Sequence, residues 1–221
     1  MKPKRIILIR HGESEGNVDK KVYLTKPDYA VRLTEKGIQQ AKDCGKQIKE
    51  IIGNKSSYCV YFSPYFRARQ TMDNALDILN PLQLQFFREE PRIREQEYSG
   101  NLRQIMDDKE FEAEREKFGK FFYRMDGGES GADVFDRVSD FIGTLHRDFE
   151  KEDYPDNVLI FGHGMGNRLF LMRWFHVPVE EFETWKNPKN GALYIMELQE
   201  NNKYKLITEV DKHPSGYGHK Y

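Results

Sequence analysis

Three short apolar runs constrain this chain more than anything else in it: residues 6–9 (IILI), 58–62 (YCVYF) and 157–161 (NVLIF), rich in β-branched or aromatic side chains and apolar at nearly every position. A strand with no polar face must be covered on both sides, the situation of a central strand in a parallel sheet. The intervening stretches change period. After Thr34, a suitable N-cap, apolar residues recur every three or four positions at Ile38, Ala41, Cys44, Gly45, Ile48 and Ile52, and Gly53 can close the helix. Ser63 followed by Pro64 reads as an N-cap with proline at the first helical position, and Ala68, Met72, Ala75, Leu76 and Leu79 extend that stripe until Asn80 and Pro81. A third helix is expected over 132–149 and a fourth over 167–176, with further strands over 192–197 and 204–210. Strands alternating with helices imply right-handed crossovers, hence an α/β fold: a three-layer α/β/α sandwich around a mainly parallel sheet.

The 221 residues are expected to form one domain, with 102–126 a helical excursion or lid, charged but holding Ile105, Met106, Phe111, Phe118, Phe121 and Phe122, and 211–221 a loose tail. Lys and Arg total 35 against 36 Asp and Glu, so no overall field draws in nucleic acid or an anionic membrane. Apolar runs such as 6–9, 158–161 and 169–172 fall far short of the roughly 20 residues that span a bilayer. The opening MKPKRIILIR lacks the long apolar stretch of a secretory signal, and Cys44 and Cys59 both read as core thiols; a reducing, cytoplasmic setting is expected.

In open α/β sheets ligands bind beyond the carboxyl ends of the strands. The first strand runs into Arg10, His11 and Gly12, the second into Ser63 and then Arg67, and the strand over 157–161 into Gly162, His163 and Gly164. Two imidazoles and two guanidiniums thus converge on one rim. Guanidinium binds a phosphoryl dianion in bidentate fashion, a neutral imidazole can attack phosphorus, and a second, protonated imidazole would neutralise transition-state charge. Helix starts after Ser63 and near Gly166 would add dipole stabilisation. Spacing opposes other sites: Asn167 stands where a dinucleotide fingerprint needs glycine, and there is no P-loop string. The two histidines have arginine and glycine neighbours rather than carboxylate or thiolate ones, so no metal is expected. His146, His176, His213 and His219 read as surface or half-buried residues.

These residues carry a resemblance. RHGESEGN at 10–17, SPYFRARQT at 63–71 and FGHGMGNR at 161–168 resemble, in order, the three motifs of the histidine phosphatase superfamily (branch 1, phosphoglycerate-mutase-like). The resemblance implies His11 as the phosphorylated nucleophile, Arg10, Arg67 and His163 as phosphoryl ligands, Asn17 as a further ligand, and no cofactor. It also implies a carboxylic acid that protonates the leaving group; IREQEYSG at 93–100 makes this Glu95, with Glu97 as the alternative, while Glu95 could instead pair with Arg94 or Arg92. Ser14, Tyr23, Tyr98 and Gly164 join the expected substrate-binding set; Phe121, Phe122, Tyr123 and Arg124 could shape the pocket or serve as core. DGGES at 126–130 resembles a segment of relatives in which Ser130 caps the next helix.

Mutases of this kind carry paired arginines between the acid and the second histidine, where this chain reads KFGKFFYRMDGGES at 117–130. The departure favours a phosphomonoesterase on a small phosphorylated metabolite or a phosphoprotein, with a phosphoglycerate mutase and a non-catalytic phospho-ligand-binding module as alternatives.

Overall fold

The computed structural model describes residues 2–98 and 109–213. Its centre is a six-stranded sheet of β1 (Arg5–Arg10), β2 (Tyr58–Phe62), β3 (Leu84–Glu89), β4 (Asn157–Gly162), β5 (Leu193–Leu198) and β6 (Tyr204–Leu206), in the order β3-β2-β4-β1-β5-β6. The first four strands in that order are parallel; β5 and β6 are antiparallel additions at one side. The sheet is mixed and mostly parallel, as expected.

Every residue of β2 and β4 is buried, because helices cover both faces. On one face α2 (Glu35–Ile52) and α3 (Phe66–Leu76) lie against Ile7, Ile9, Val60, Phe62, Leu159 and Phe161. On the other, α5 (Gly131–Asp148) and α6 (Gly164–Phe175) lie against Ile6, Leu8, Cys59, Tyr61, Val158 and Ile160. The shorter helices are α1 (Glu15–Val18), α4 (Lys109–Phe118) and α7 (Val179–Glu183). Thr34 caps α2 by accepting from the Gly37 N–H at 3.1 Å, and Ser130 caps α5 in a reciprocal pair with Asp133. Cys44 and Cys59 are buried free thiols. Among the described residues no helix is long and apolar enough to cross a membrane.

The structure corrects several boundaries. β3 was not anticipated: at the sheet edge only Leu84 and Phe86 are even partly covered, so the segment lacks the continuous apolar signal. Helix α3 starts at Phe66 rather than Pro64, with Tyr65 as N-cap residue; the Ser63 hydroxyl, 2.8 Å from His163 Nε2, accepts from the Tyr65 N–H at 3.3 Å, ahead of the helix. Helix α6 starts at Gly164, three residues earlier than expected, with His163 itself as N-cap residue. Strand β6 stops at Leu206, and beyond it the Thr208 hydroxyl accepts from the Ile195 N–H at 3.1 Å. The expected excursion is partly helical as α4, its residues 102–108 lying outside the described residues. Residues 211–213 are not loose: Lys186 N–H donates to Asp211 O at 2.8 Å and His213 N–H to Thr184 O at 2.9 Å. The rest of the expected tail, 214–221, lies outside the described residues.

Register places the site. Arg10 stands opposite Gly162, and Phe62 opposite Phe161, so β1, β4 and β2 end level and the residues after them become neighbours. His11 N–H donates to Gly162 O at 3.1 Å and Ser63 N–H to Phe161 O at 2.9 Å, continuing the ladder one step past each strand. The loop after β1 then presses onto the first turn of α2: a Cβ at Gly12 would lie 2.3 Å from Gly37 O, and one at Gly37 2.0 Å from Glu13 O. Backbone meets backbone there and neither can yield. Gly37→Ala, which in an exposed helix would stabilise, is therefore expected to cost about 1–3 kcal/mol in urea unfolding; a more stable variant would contradict this packing.

Candidate active site

His11 is 3% exposed, and its Nδ1 lies 2.7 Å from Gly12 O. A carbonyl only accepts, so Nδ1 carries the proton and the Nε2 lone pair is left outward. Burial, then the Arg67 and Arg10 charges, push its pKa well below the usual imidazole value and keep it neutral. The His163 ring stands 5.3 Å from that of His11 at 60°, fully buried, with Nε2 2.8 Å from the Ser63 hydroxyl and Nδ1 3.5 Å from Glu95 Oε2. Burial, then Arg67, also hold His163 low. The protonated second imidazole of the sequence reading is therefore not the resting form; an added dianion is what would favour it.

Arg67 is 3% exposed and fixed from behind, its Nη1 donating to Asp28 Oδ1 at 2.7 Å and Asp28 O at 2.9 Å, while Nη2 stands 3.9 Å from Glu95 Oε2. Burial opposes its charge, but Asp28 and Glu95 outweigh it and raise its pKa. Arg10 donates from Nη1 to Pro188 O, and its buried Nε has no partner. Burial lowers its pKa, yet no carboxylate pairs with it among the described residues. The guanidiniums and the start of α6 make the rim electropositive.

Glu95 is partly buried, its Oε1 accepting from the Gln96 N–H at 3.0 Å. Burial raises its pKa against the pull of Arg67, with Asp28 adding to the rise. The alternative pairings are not made: Arg94 pairs with Glu129 at 2.7 Å, and Arg92 with Glu90 and Asp140, each at 2.6 Å. Arg137 holds the segment, donating to the carbonyls of Arg92, Arg94 and Glu95 at 2.6, 2.9 and 3.0 Å and pairing with Glu129. Glu97 is exposed, tied through its N–H to Glu129.

The remaining expected residues divide. The Asn17 carboxamide oxygen faces the Ser14 N–H at 3.0 Å, and Ser14 is buried beside it. At Gly164 a Cβ would fall 1.9 Å from Asn187 Oδ1, so a side chain there would displace the Asn187 carboxamide. The Tyr23 hydroxyl fills the space a Cβ at Gly16 would need, and burial pushes it up to about 12. Tyr98 is half-buried, its hydroxyl also raised by burial. Phe121 belongs to the core against Phe135 and Phe182, Phe122 is exposed, and Arg124 pairs with Asp133 at the start of α5. His146 stacks on Trp174, and His176 ends α6 in a left-handed conformation.

The sequence reading missed Asp28, Arg137, Asn187 and Asn190, which lie in no expected strand end. Thr71, quoted within SPYFRARQT but given no role, accepts from the Gly12 N–H at 3.0 Å and donates to Arg67 O at 2.7 Å, joining the two phosphate motifs. One ligand atom each from His11, Glu95 and His163 lies within 4.8 Å of the others, a spacing that could hold a metal ion. Two buried guanidiniums beside that cluster oppose a cation and favour a tetrahedral anion.

Residues 6–209 match the family model described as histidine phosphatase superfamily (branch 1). The chain is 42% identical over 215 residues to the phosphoglycerate mutase-like protein AT74 of Arabidopsis thaliana, covering 92% of this chain and 68% of that one. It is 31% identical to the broad-range acid phosphatase DET1 of Saccharomyces cerevisiae, covering 96% and 90%. In fold it is similar to a mycobacterial glucosyl-3-phosphoglycerate phosphatase complexed with VO3, with a TM-score of 0.70, 19% identity and coverage of 93% and 98%. The chain belongs to the histidine phosphatase superfamily, branch 1.

Proposed function

We propose that this chain is a metal-independent phosphomonoesterase working through a phosphohistidine at His11. The observation that carries the reading is the 2.7 Å hydrogen bond from His11 Nδ1 to Gly12 O, which fixes the neutral tautomer with Nε2 free, in a cage of Arg10, Arg67 and His163. In the first step Nε2 attacks phosphorus in line, forming the P–N bond as the P–O bond to the leaving group breaks, and Glu95 gives its proton to the departing oxygen. Arg10 and Arg67 hold the equatorial oxygens, with Asn17 donating to one of them. His163, protonated in the presence of the dianion, donates from Nδ1. In the second step the Glu95 carboxylate takes a proton from water, the water oxygen attacks phosphorus, and the P–N bond breaks to return neutral His11.

The phosphatase reading is preferred to the mutase because Arg124, in the segment where mutases carry paired arginines, is engaged by Asp133 at 2.6 Å and Gly128 O at 3.2 Å. With no anchor there to retain an acidic product, water becomes the acceptor. The substrate class proposed is a small phosphorylated metabolite or a phosphoprotein.

His11→Ala is expected to abolish turnover of p-nitrophenyl phosphate and 3-phosphoglycerate, with wild-type activity undiminished by a chelator. A variant retaining a tenth of wild-type activity, or chelator loss restored by added metal, would contradict the mechanism; interconversion of 3- and 2-phosphoglycerate without phosphate release would favour the mutase.

The pKa directions give the pH profile its sign. His11 must be neutral, and its lowered pKa keeps it so into mildly acidic solution; Glu95 must be protonated, and its raised pKa extends that form upward from the ordinary carboxylate range. The ratio kcat/KM should therefore rise through the low His11 pKa and fall through that of Glu95, placing the optimum on the acid side of neutrality. Glu95→Gln should remove the alkaline limb and cost about 10²–10⁴-fold on an alkyl phosphate, but much less on p-nitrophenyl phosphate, whose leaving group needs no proton. These losses are read in kcat/KM, which reports the first step; equal losses there would rule Glu95 out as the acid, while loss of the second-step base lowers kcat for both substrates.

A further inference from the structure

The segment joining α7 to β5 wraps the nucleophile loop on several sides. Pro188 O accepts from the Arg10 guanidinium, Ala192 O from the Arg10 N–H at 3.0 Å, and Gly191 N–H donates to His11 O at 3.1 Å. At its centre, Asn190 Nδ2 lies 3.2 Å from His11 O, 3.2 Å from Gly12 O and 3.0 Å from Asn17 Oδ1. Earlier in the segment, Asn187 presses its Oδ1 into the space beside Gly164, next to the second histidine.

We propose that Asn190 is a positioning residue for phosphoryl transfer, acting by fixing which end of the Asn17 carboxamide meets the phosphate. The proposal rests on the reading of His11 as nucleophile and Asn17 as phosphate ligand. A carboxamide can rotate to exchange its oxygen and nitrogen, and only its NH2 end can donate to a phosphoryl oxygen. In Asn17 the oxygen is held inward by the Ser14 N–H at 3.0 Å and by Asn190 Nδ2 at 3.0 Å, both obligate donors. The Ser14 hydroxyl, at 3.1 Å, can either donate or accept and does not by itself discriminate. Without Asn190 one of the two obligate donors is lost, and the flipped amide, which would turn an oxygen toward the phosphate, becomes less costly. The Asn190 amide is itself oriented by groups that only accept: its Nδ2 lies 3.2 Å from both His11 O and Gly12 O, so its NH2 end and not its oxygen is turned toward Asn17.

A residue that merely tied down the start of β5 would affect catalysis independently of Asn17. The test is a double-mutant cycle on kcat/KM for p-nitrophenyl phosphate and on the inhibition constant of inorganic phosphate, using wild type, Asn17→Ala, Asn190→Ala and the double variant, each checked for folding by thermal melt. Each single variant is expected to lose about tenfold in kcat/KM and to weaken phosphate inhibition, and the double variant to lie within about threefold of Asn17→Ala. If Asn190→Ala does not fold, Asn190→Leu, similar in size, uncharged and lacking the donor, takes its place in the cycle with the same expectation. Losses that multiply in the double variant, or an Asn190 variant within twofold of wild type, would overturn the proposal while leaving the phosphohistidine reading intact. Wild-type behaviour of Asn17→Ala would overturn the proposal together with the role assigned to Asn17.

Discussion

Three parallel strands that end at the same level are the constraint on which the site depends. Because Arg10 pairs with Gly162 and Phe62 with Phe161, the chain leaves β1, β4 and β2 at one height, and His11, His163 and Ser63 become neighbours through backbone register alone. The packing of both sheet faces fixes that register, since slipping a strand by one residue would exchange the side chains presented to the two helical layers. Scaffold and site are thus one problem: Ile6 and Leu8 point to α5 and α6, Ile7 and Ile9 to α2 and α3, and the residues immediately beyond them carry the chemistry.

The electrostatic design follows from burial. Two guanidiniums and two imidazoles share a dehydrated rim, and the cost of charging all four is met by leaving both imidazoles neutral. Arg67 is compensated by Asp28, whereas among the described residues the Arg10 guanidinium is bound by a backbone carbonyl and no carboxylate. The site is therefore short of negative charge, which suits an anionic ligand. Burial shapes Glu95 as well: it outweighs the cationic neighbours and shifts the carboxyl toward its protonated form.

Much of this was legible in the sequence, and the reasons for success and failure are physical. Strands covered on both faces announce themselves by uninterrupted apolar runs, which is why β1, β2 and β4 were readable and the half-exposed edge strand β3 was not. Arg10, His11, Arg67 and His163 sit at or just beyond strand ends, where an α/β fold places ligand contacts. Supporting residues have no such address. Asp28 lies 39 residues from the Arg67 it fixes, Arg137 42 from the Glu95 carbonyl it holds, and Asn190 179 from the His11 carbonyl it contacts; each meets its partner only after the sheet has formed. Ser63 was misread for a related reason: a serine before proline reads as a helix cap, but α3 begins later, at Phe66, and the partner that arrives for the Ser63 hydroxyl, His163, comes from the neighbouring strand.

The central claim is a covalent bond between phosphorus and His11 Nε2. It is tested most directly by mixing the protein with substrate, quenching in base within milliseconds, and mapping the modified peptide by mass spectrometry. The account predicts one phosphoryl group on the peptide carrying His11, stable in base, lost in acid, and chased off by water at least as fast as steady-state turnover. Phosphate release at the full rate with no phosphoryl group on that peptide, or with the group on another residue, would contradict it.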